Sequence, residues 1–152
     1  MNIEKVNFNN DEEIKQLKKL FTEYFHEIDG DGFDIDNYVN DLKINLIKYP
    51  TLLLMTAIEN NLLIGFIFGN TQYYYNNDNC GFILELFISK DFRNKGVAKA
   101  LIKNFEKMCL NDKIYLTSAP NAIHFFEKVG YLNTGLIDKD NNLKIFNKNT
   151  IF

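Results

Sequence analysis

The chain has 152 residues, of which 46% are hydrophobic, 14% aromatic and 24% charged, with a formal net charge of -3. This length and composition are typical of one globular domain and exclude an intrinsically disordered chain. The longest apolar runs, TLLLMTAI and LLIGFIF, are too short for a membrane-spanning helix, which needs about 20 residues. The overall acidity also argues against nucleic acid as a partner.

The N-terminal segment and the cysteines bear on localisation and metal binding. Residues 1–13 have no apolar signal core, and Cys80 and Cys109 form no CxxC pair. We therefore expect a cytoplasmic protein with reduced thiols, no contact with a membrane and no bound metal.

Charged residues are segregated along the chain. Residues 20–42 contain seven acids and no Lys or Arg, whereas residues 90–107 contain six bases against two acids. These stretches are either solvated helix faces or sites for ligands of opposite charge, a cation at the acidic stretch and a polyanion at the basic one.

Hydrophobic periodicity predicts one mixed α/β domain over residues 1–152 with the element order βααβββαβαββ. The front half is an antiparallel meander, and a βαβ unit follows it. In chain order, the predicted elements are a strand at 2–8, a helix capped by Asn10 and Glu13 and reaching Ile28, a helix capped by Asp36 and ending near Pro50, strands at 51–58, 62–75 and 81–89, a helix from Val97, a strand at 113–119, a helix from Pro120 to Gly130, and a hairpin of 131–137 and 143–148.

The junction FISKDFRNKGVAKALI, residues 87–102, carries the most informative motif. The first N–H groups of a helix have no intrahelical partner and point outward with the positive end of the helix dipole. Gly96 and the small Ala98 would let a ligand approach the backbone, and Lys95 adds positive charge. The junction therefore predicts a site for a diphosphate. It is not a Walker loop, because GxxxxGK[ST] is absent, and no GxGxxG precedes a helix.

Arg93 is the only arginine in a chain that otherwise uses lysine. A guanidinium at this position could grip phosphate oxygens in a fork, which an ammonium group cannot do. The alternative is that Arg93 caps the loop.

Two segments resemble a known family. The pattern R-x-x-G-x-A at 93–98, after ELFISKDF and before KALIKNFE, resembles the acetyl-CoA loop of the GNAT superfamily of N-acetyltransferases. The segment NAIHFFEKVGY at 121–131 resembles a later helix of that family, and the predicted element order matches as well. The resemblance implies a GNAT fold, with a mixed and mostly antiparallel sheet of six to seven strands and four helices. It also implies an acyltransferase that moves an acetyl group from acetyl-CoA to a primary amine by direct attack in a ternary complex.

The resemblance further implies where acetyl-CoA binds. The cofactor would lie in a splayed gap between the strands at 82–88 and 113–119, with its pantetheine arm paired to the first of them like an added strand. An Asn common in the family aligns with Ala119, so Asn121 is the candidate for that role. The residues expected to contact acetyl-CoA are Leu86, Phe87, Ile88, Arg93, Asn94, Lys95, Gly96, Val97, Ala98, Asn121 and Phe126.

Glu85 is the candidate general base, because it is the only carboxylate on its strand and the attacking ammonium must lose a proton. The alternative is a side chain that points to solvent or pairs with a lysine. The family tyrosine that protonates the departing thiolate aligns with Phe126, whose ring has no proton to give. Tyr131, Tyr115, Ser118 or water would then be the donor, or the thiolate leaves unprotonated.

In relatives, the region between the first two helices helps to form the acceptor site, and here it is the acidic stretch. We therefore expect a small cationic amine as acceptor, such as a polyamine, an aminoglycoside or an amino sugar, and a monomer or homodimer. The alternatives are a protein or peptide N-acetyltransferase, a catalytically silent acyl-CoA-binding module, and a nucleotide-binding protein that uses the same loop. The candidate acceptor residues are Glu27, Asp29, Asp31, Tyr73 and Tyr75.

Overall fold

The computed structural model describes residues 1–28, 30 and 32–150. Within these residues the elements follow the order βααβββαβαββ, which confirms the predicted order. The helices are α1 (Asp11–Ile28), α2 (Ile35–Lys48), α3 (Val97–Met108) and α4 (Ile123–Lys128), and the strands are β1 (Asn2–Lys5), β2 (Leu52–Glu59), β3 (Leu62–Tyr75), β4 (Asp78–Ile88), β5 (Lys113–Ser118), β6 (Leu132–Ile137) and β7 (Lys144–Asn149).

Side-chain caps define the starts of the first two helices. The Asn10 side chain accepts a hydrogen bond from the Glu13 N–H at 3.1 Å, which is one half of the predicted capping box; the Glu13 carboxylate accepts from the Asn7 N–H at 3.1 Å rather than from that of Asn10. The predicted cap of α2, Asp36, is wrong. Asp34 accepts from the Asn37 N–H at 3.1 Å, and the helix therefore begins at the residue after Asp34.

Paired asparagines make both turns of the meander. Asn60 and Asn61 have φ of 50° and 63°, and Asn76 and Asn77 have φ of 50° and 62°. Asparagine tolerates this left-handed backbone, and two such residues in a row match the right-handed twist of a hairpin. The second turn is shorter than the predicted 76–79, because β4 already begins at Asp78.

Two elements are shorter than predicted. β1 ends at Lys5 rather than at residue 8, and α4 begins at Ile123 after a 3-10 turn at Pro120–Ala122. None of the helices in the described part of the chain is long and apolar enough to cross a membrane.

The seven described strands form one sheet in the order β1-β2-β3-β4-β5-β7-β6, and only β4 and β5 run parallel. β4 pairs with β3 as far as Ile88, but it pairs with β5 only over Gly81–Ile83. Beyond Ile83 the two parallel strands separate. A gap therefore opens in the middle of the sheet, along the part of β4 that leads to α3.

A β-bulge at Leu84 marks the point where this gap begins. In the register between β3 and β4, Phe68 is opposite Glu85 and Gly69 is opposite Ile83, so Leu84 is an extra residue on β4. A bulge shifts the alternation of side chains between the two faces. Ile83 consequently packs on the α3 side, whereas Phe87 packs on the α1 and α2 side. Glu85 shares the face of Phe87.

Helices cover both faces of the sheet. On one face, Leu101 and Phe105 of α3 share a buried cluster with Ile67 of β3. On the other face, the ring of Phe21 of α1 lies 4.3 Å from that of Phe66. Burying each such side chain contributes about 1.5–3 kcal/mol, and these two layers hold β4 in place along the gap.

Candidate active site

A short loop, residues 89–96, joins β4 to α3. It contains a 3-10 turn at Lys90–Phe92 and two residues with a left-handed backbone, Asn94 at φ 63° and Gly96 at φ 82°. Asn and Gly are the residue types that adopt such a backbone most readily, so both residues suit their positions in the loop. A Cβ added to Gly96 would meet no atom within 4 Å. The space above the loop is therefore open to a ligand.

The N-terminus of α3 is uncapped. Asn10 and Asp34 cap the first two helices, but in the described part of the chain no side chain accepts a hydrogen bond at the start of α3, and its first turn has no acid. The first N–H with a helical acceptor is that of Ala100, bonded to the Gly96 carbonyl at 3.1 Å. The N–H groups of residues 97–99 thus remain available to an anion at the positive end of the helix dipole.

Arg93 makes its contacts within the protein. Its Nε donates to the Ile88 carbonyl at 2.9 Å, and its Nη2 donates to Glu27 Oε2 at 2.7 Å. The guanidinium carbon lies 5.3 Å from the centre of the Phe87 ring. In this arrangement the guanidinium caps the loop, and two of its nitrogens are already engaged by β4 and α1.

Glu85 stands in a half-buried position beside the gap. Its Oε2 is buried and has no hydrogen-bond partner in the described part of the chain. Burial raises the pKa of Glu85 to about 7, and a hydrogen bond with the Tyr24 side chain partly opposes this rise. A carboxyl group that titrates near neutral pH is suited to accept a proton from a substrate. Among the described residues no lysine pairs with Glu85. The burial of its Oε2 also argues against the alternative of a side chain that points to solvent.

Tyrosines of α1 and α2 surround Glu85. The Tyr24 ring lies 5.2 Å from Phe87 and 5.3 Å from Phe66, which places it beside β4. Burial, and then the negative charge of Glu85, raise the pKa of Tyr38 well above its ordinary value. The sequence marks Tyr24 only as one residue of an apolar helix face. Its contact with Glu85 depends on how α1 packs on the sheet.

Tyr131 lies in the core, fully buried. Burial, and then the charge of Glu106, raise the pKa of its hydroxyl well above the ordinary value. A phenol that solvent does not reach is poorly placed to protonate a departing thiolate. Its position corrects the expectation that Tyr131 is an alternative acid. Phe126, only 8% exposed, packs against Tyr131 with ring centres 6.1 Å apart.

The other two side chains considered as proton donors already donate elsewhere. The Tyr115 hydroxyl donates to Asp78 Oδ2 at 2.6 Å, and the Ser118 hydroxyl donates to the Ala119 carbonyl at 2.9 Å. Both residues are buried. Asn121, in contrast, is exposed in the turn after β5.

The candidate acceptor residues fall into two groups. Asp29 and Asp31 lie outside the described residues, and Glu27 is paired with Arg93. Tyr73 and Tyr75 lie near each other on β3, with ring centres 6.4 Å apart.

Tyr75 ties the meander to the turn between β6 and β7. Its hydroxyl donates to Asp138 Oδ2 at 2.6 Å across 63 positions of sequence. Asp138 is a residue that sequence reasoning missed, because no local pattern predicts so distant a contact.

Most described acids of residues 20–42 have structural partners. Glu23 accepts hydrogen bonds from the start of the 89–96 loop, Glu27 pairs with Arg93, Asp34 caps α2, and Asp36 pairs with Lys18 at 3.0 Å. The acidic stretch is therefore largely engaged within the protein. The described residues contain no group of three or more His, Cys, Asp or Glu that could hold a metal ion.

The sequence matches the profile of the Acetyltransferase (GNAT) family over residues 14–131. A search of curated proteins finds no match. The chain therefore belongs to the GNAT family of acetyltransferases and is an acyltransferase by class.

The fold is similar to that of several solved acetyltransferases. An aminoglycoside 6'-N-acetyltransferase complexed with coenzyme A is 18% identical, with a TM-score of 0.75 over 100% of this chain and 98% of that one. The aminoglycoside 6'-N-acetyltransferase from Enterococcus faecium is 18% identical, with a TM-score of 0.72 over 100% and 98%. A spermidine N-acetyltransferase chimera from Vibrio cholerae and hSSAT is 17% identical, with a TM-score of 0.73 over 99% and 96%. At these identities the likeness concerns the fold alone.

Proposed function

We propose that this protein transfers an acetyl group from acetyl-CoA to the primary amine of a small cationic molecule. One observation carries the proposal. The gap between β4 and β5 leads from Glu85, a half-buried carboxyl group, to the uncapped N-terminus of α3. A carboxyl group that can act as a base thus lies on β4, and an anion site lies beyond the C-terminal end of the same strand. A ternary complex requires both, one for the amine and one for the diphosphate of acyl-CoA.

The cofactor lies along β4 in this proposal. The Ser89 N–H donates to the Ile64 carbonyl of β3 at 2.8 Å. Since the main-chain groups of successive strand residues alternate between the two edges, those of Leu86 and Ile88 face the gap. The N–H and carbonyl groups of Leu86 and the N–H of Ile88 pair with the pantetheine arm as an added strand would, since the Ile88 carbonyl already accepts from Arg93. Phe87, between them, directs its ring into the core on the α1 side.

The diphosphate is received by the loop and the first turn of α3. Main-chain N–H groups and the helix dipole supply most of the attraction, and the left-handed Gly96 keeps the approach open. Asn121 and Phe126 follow β5 and are the proposed contacts on the opposite side of the gap; Asn121 is exposed, whereas Phe126 is only 8% exposed and packs against Tyr131. The residues of the diphosphate site are Asn94, Lys95, Gly96, Val97 and Ala98, and Arg93 belongs to the same loop but is bonded to Ile88 and Glu27.

Chemistry proceeds by direct attack in this proposal. Glu85 takes a proton from the ammonium group, directly or through water, and the neutral nitrogen attacks the thioester carbonyl. Main-chain N–H groups stabilise the oxyanion of the tetrahedral intermediate. The new C–N bond forms, the C–S bond breaks, and the thiolate of coenzyme A leaves. The nitrogen, which carries one excess proton after the attack, releases it to water, and water passes a proton to the thiolate; Tyr115 and Ser118 donate elsewhere, and Phe126 has no proton to give.

The acceptor is a small cationic amine. Two observations support this class: proteins of similar fold are named for aminoglycosides and spermidine, and two tyrosine rings, those of Tyr73 and Tyr75, lie 6.4 Å apart on β3, where Tyr75 also contacts the acid Asp138. Aromatic faces attract ammonium groups. Asp29 and Asp31 are the candidates for binding a second positive charge on the acceptor, because Glu27 is paired with Arg93.

The test is a panel of polyamines, aminoglycosides, amino sugars and lysine-containing peptides, each incubated with acetyl-CoA, with release of free thiol as the readout. Turnover with small cationic amines above that with peptides is expected. Preferred turnover of peptides would make the protein a peptide N-acetyltransferase. Coenzyme A binding in calorimetry without turnover of any amine would leave the silent binding module, which Phe126 at the position of the family tyrosine favours.

A further inference from the structure

The C-terminal half of α1 rests against the start of the 89–96 loop. The two oxygens of the Glu23 carboxylate accept hydrogen bonds from the Ser89 hydroxyl at 3.1 and 3.0 Å. Oε1 also accepts from the Lys90 N–H at 2.9 Å. One carboxylate thus holds both a side chain and a main-chain group at the point where β4 ends.

One turn further along α1, Glu27 holds Arg93 by the 2.7 Å ion pair. The same guanidinium donates to the Ile88 carbonyl and lies over the Phe87 ring. A planar guanidinium can meet a carbonyl, a carboxylate and an aromatic face at once, which the single nitrogen of lysine cannot do. This geometry gives a physical reason for the only arginine of the chain to stand at this position.

Apart from these contacts, the loop is held mainly at Ser89 and Phe92, and the Phe92 side chain packs against the core on the α3 side. Ser89 bonds to β3 and the Phe92 N–H bonds to the Ser89 carbonyl at 2.9 Å, whereas Asn94, Lys95 and Gly96 are exposed. When a ligand binds a flexible loop, ordering the loop reduces the net free energy of binding. Contacts that hold the loop in its binding conformation before the ligand arrives therefore increase the affinity.

We propose that Glu23, Glu27 and Arg93 form a clamp, here called the α1 clamp, that holds the diphosphate loop in its binding conformation. The inference rests on the proposed function, because it assigns the loop to coenzyme A. Its members are positioning residues. Two carboxylates near a polyanion site then strengthen binding of the polyanion, although their charge alone would weaken it.

The rival arrangement is that Arg93 grips the diphosphate directly and Glu27 competes with the ligand for it. The two arrangements predict opposite signs for Glu27→Gln. With the α1 clamp, the variant loosens the loop and weakens binding. With direct competition, the variant frees the guanidinium and strengthens binding, and the loss of one negative charge adds to that gain.

Calorimetry with coenzyme A tests the sign. We expect the Kd to rise about threefold for Glu27→Gln, since an exposed ion pair contributes little, and about tenfold for Glu23→Ala and Arg93→Lys, which lose several hydrogen bonds to a charged group. The control is Asp41→Asn, which removes the same charge from an exposed site on α2 and should leave the Kd unchanged or slightly lower. An unchanged or lower Kd for Glu27→Gln would overturn the clamp.

Two further readouts separate the clamp from a general loss of structure and from a failure of the proposed function. The KM for acetyl-CoA should rise in the three clamp variants while the KM for the amine stays constant. Amide hydrogen exchange of residues 89–96 without ligand should be faster in Glu23→Ala than in the parent protein, and equal rates would contradict the clamp. If the parent protein does not bind coenzyme A, the proposed function fails, whereas the exchange experiment still tests the clamp.

Discussion

Replacing Glu85 with glutamine tests both the role and the environment of this residue. The substitution keeps the shape and removes the ionisable group. Main-chain contacts of β4 are unaffected, so the Kd for coenzyme A should stay within about twofold of the parent value. The kcat/KM at neutral pH should fall about 100-fold, at the lower end of what general-base catalysis contributes.

The pH dependence follows from the pKa of about 7. In the parent protein, kcat/KM should rise with pH up to about 7, because only the ionised carboxyl group accepts a proton. Glu85→Gln should lose this increase of kcat/KM below pH 7. It should keep the increase of kcat/KM that comes from deprotonation of the amine itself, near pH 10 for an alkyl ammonium (about 10.4 for lysine). A variant that keeps full activity from pH 6 to 8 would show that Glu85 is not the base.

The same pKa has a consequence for stability. Burial raises the pKa from 4.5 to about 7, so the folded chain binds more protons than the unfolded chain between these pH values, and the stability contributed by this residue falls as pH rises through them. Since one pKa unit corresponds to about 1.4 kcal/mol, the ionised carboxylate destabilises the fold by at most about 3.5 kcal/mol at pH 8. Glu85→Gln should therefore be more stable than the parent at pH 8, and the gain should shrink toward pH 5. Denaturant unfolding at both pH values measures this, and a constant difference would refute the assigned burial.

Three further predictions concern other residues. Gly96→Trp should abolish coenzyme A binding in calorimetry by filling the space above the loop. The control is Gly135→Trp, which has the same φ of 82° and equally open surroundings and should keep coenzyme A binding. Equal losses of binding in the two variants would indicate backbone strain instead. Tyr131→Phe should leave kcat within about twofold, because the buried hydroxyl supplies no proton, and a tenfold loss would restore it as the acid. Tyr75→Phe should raise the pKa of Asp138 toward its ordinary range, because the Tyr75 hydrogen bond is the main cause of its lowering; carboxyl-carbon NMR titration measures this, and an unchanged pKa would contradict the assignment.

Local sequence patterns predicted the helices, strands and turns well, because the interactions that start and end these elements are between residues close together in the sequence. The cap at Asn10 and the hairpin asparagines act through residues only a few positions away. The Asp36 prediction failed by two residues, since both positions are aspartates that can cap a helix; Asp34 makes the cap, and Asp36 pairs with Lys18.

Contacts between distant segments account for what sequence reasoning missed. The bulge at Leu84 decides the face on which Glu85 lies, and a strand pattern of alternating residues does not reveal it. The partners of Glu23 and Glu27 lie 66 or more positions away, so a stretch that resembles a cation site holds the loop instead. The burial of Tyr131 likewise depends on α3 and β7 closing around it.

By itself, the sequence determined the family, the order of elements and the loop before α3. The reason is that glycine, small residues and the start of a helix affect only the backbone close to them in the sequence. Only the tertiary structure decided which carboxylate lies beside the gap and which carboxylates contact the loop at its end. Burial and ion pairing are properties of the packed chain, and they turn chemically identical glutamates into a base at Glu85 and anchors at Glu23 and Glu27 in the arrangement proposed here.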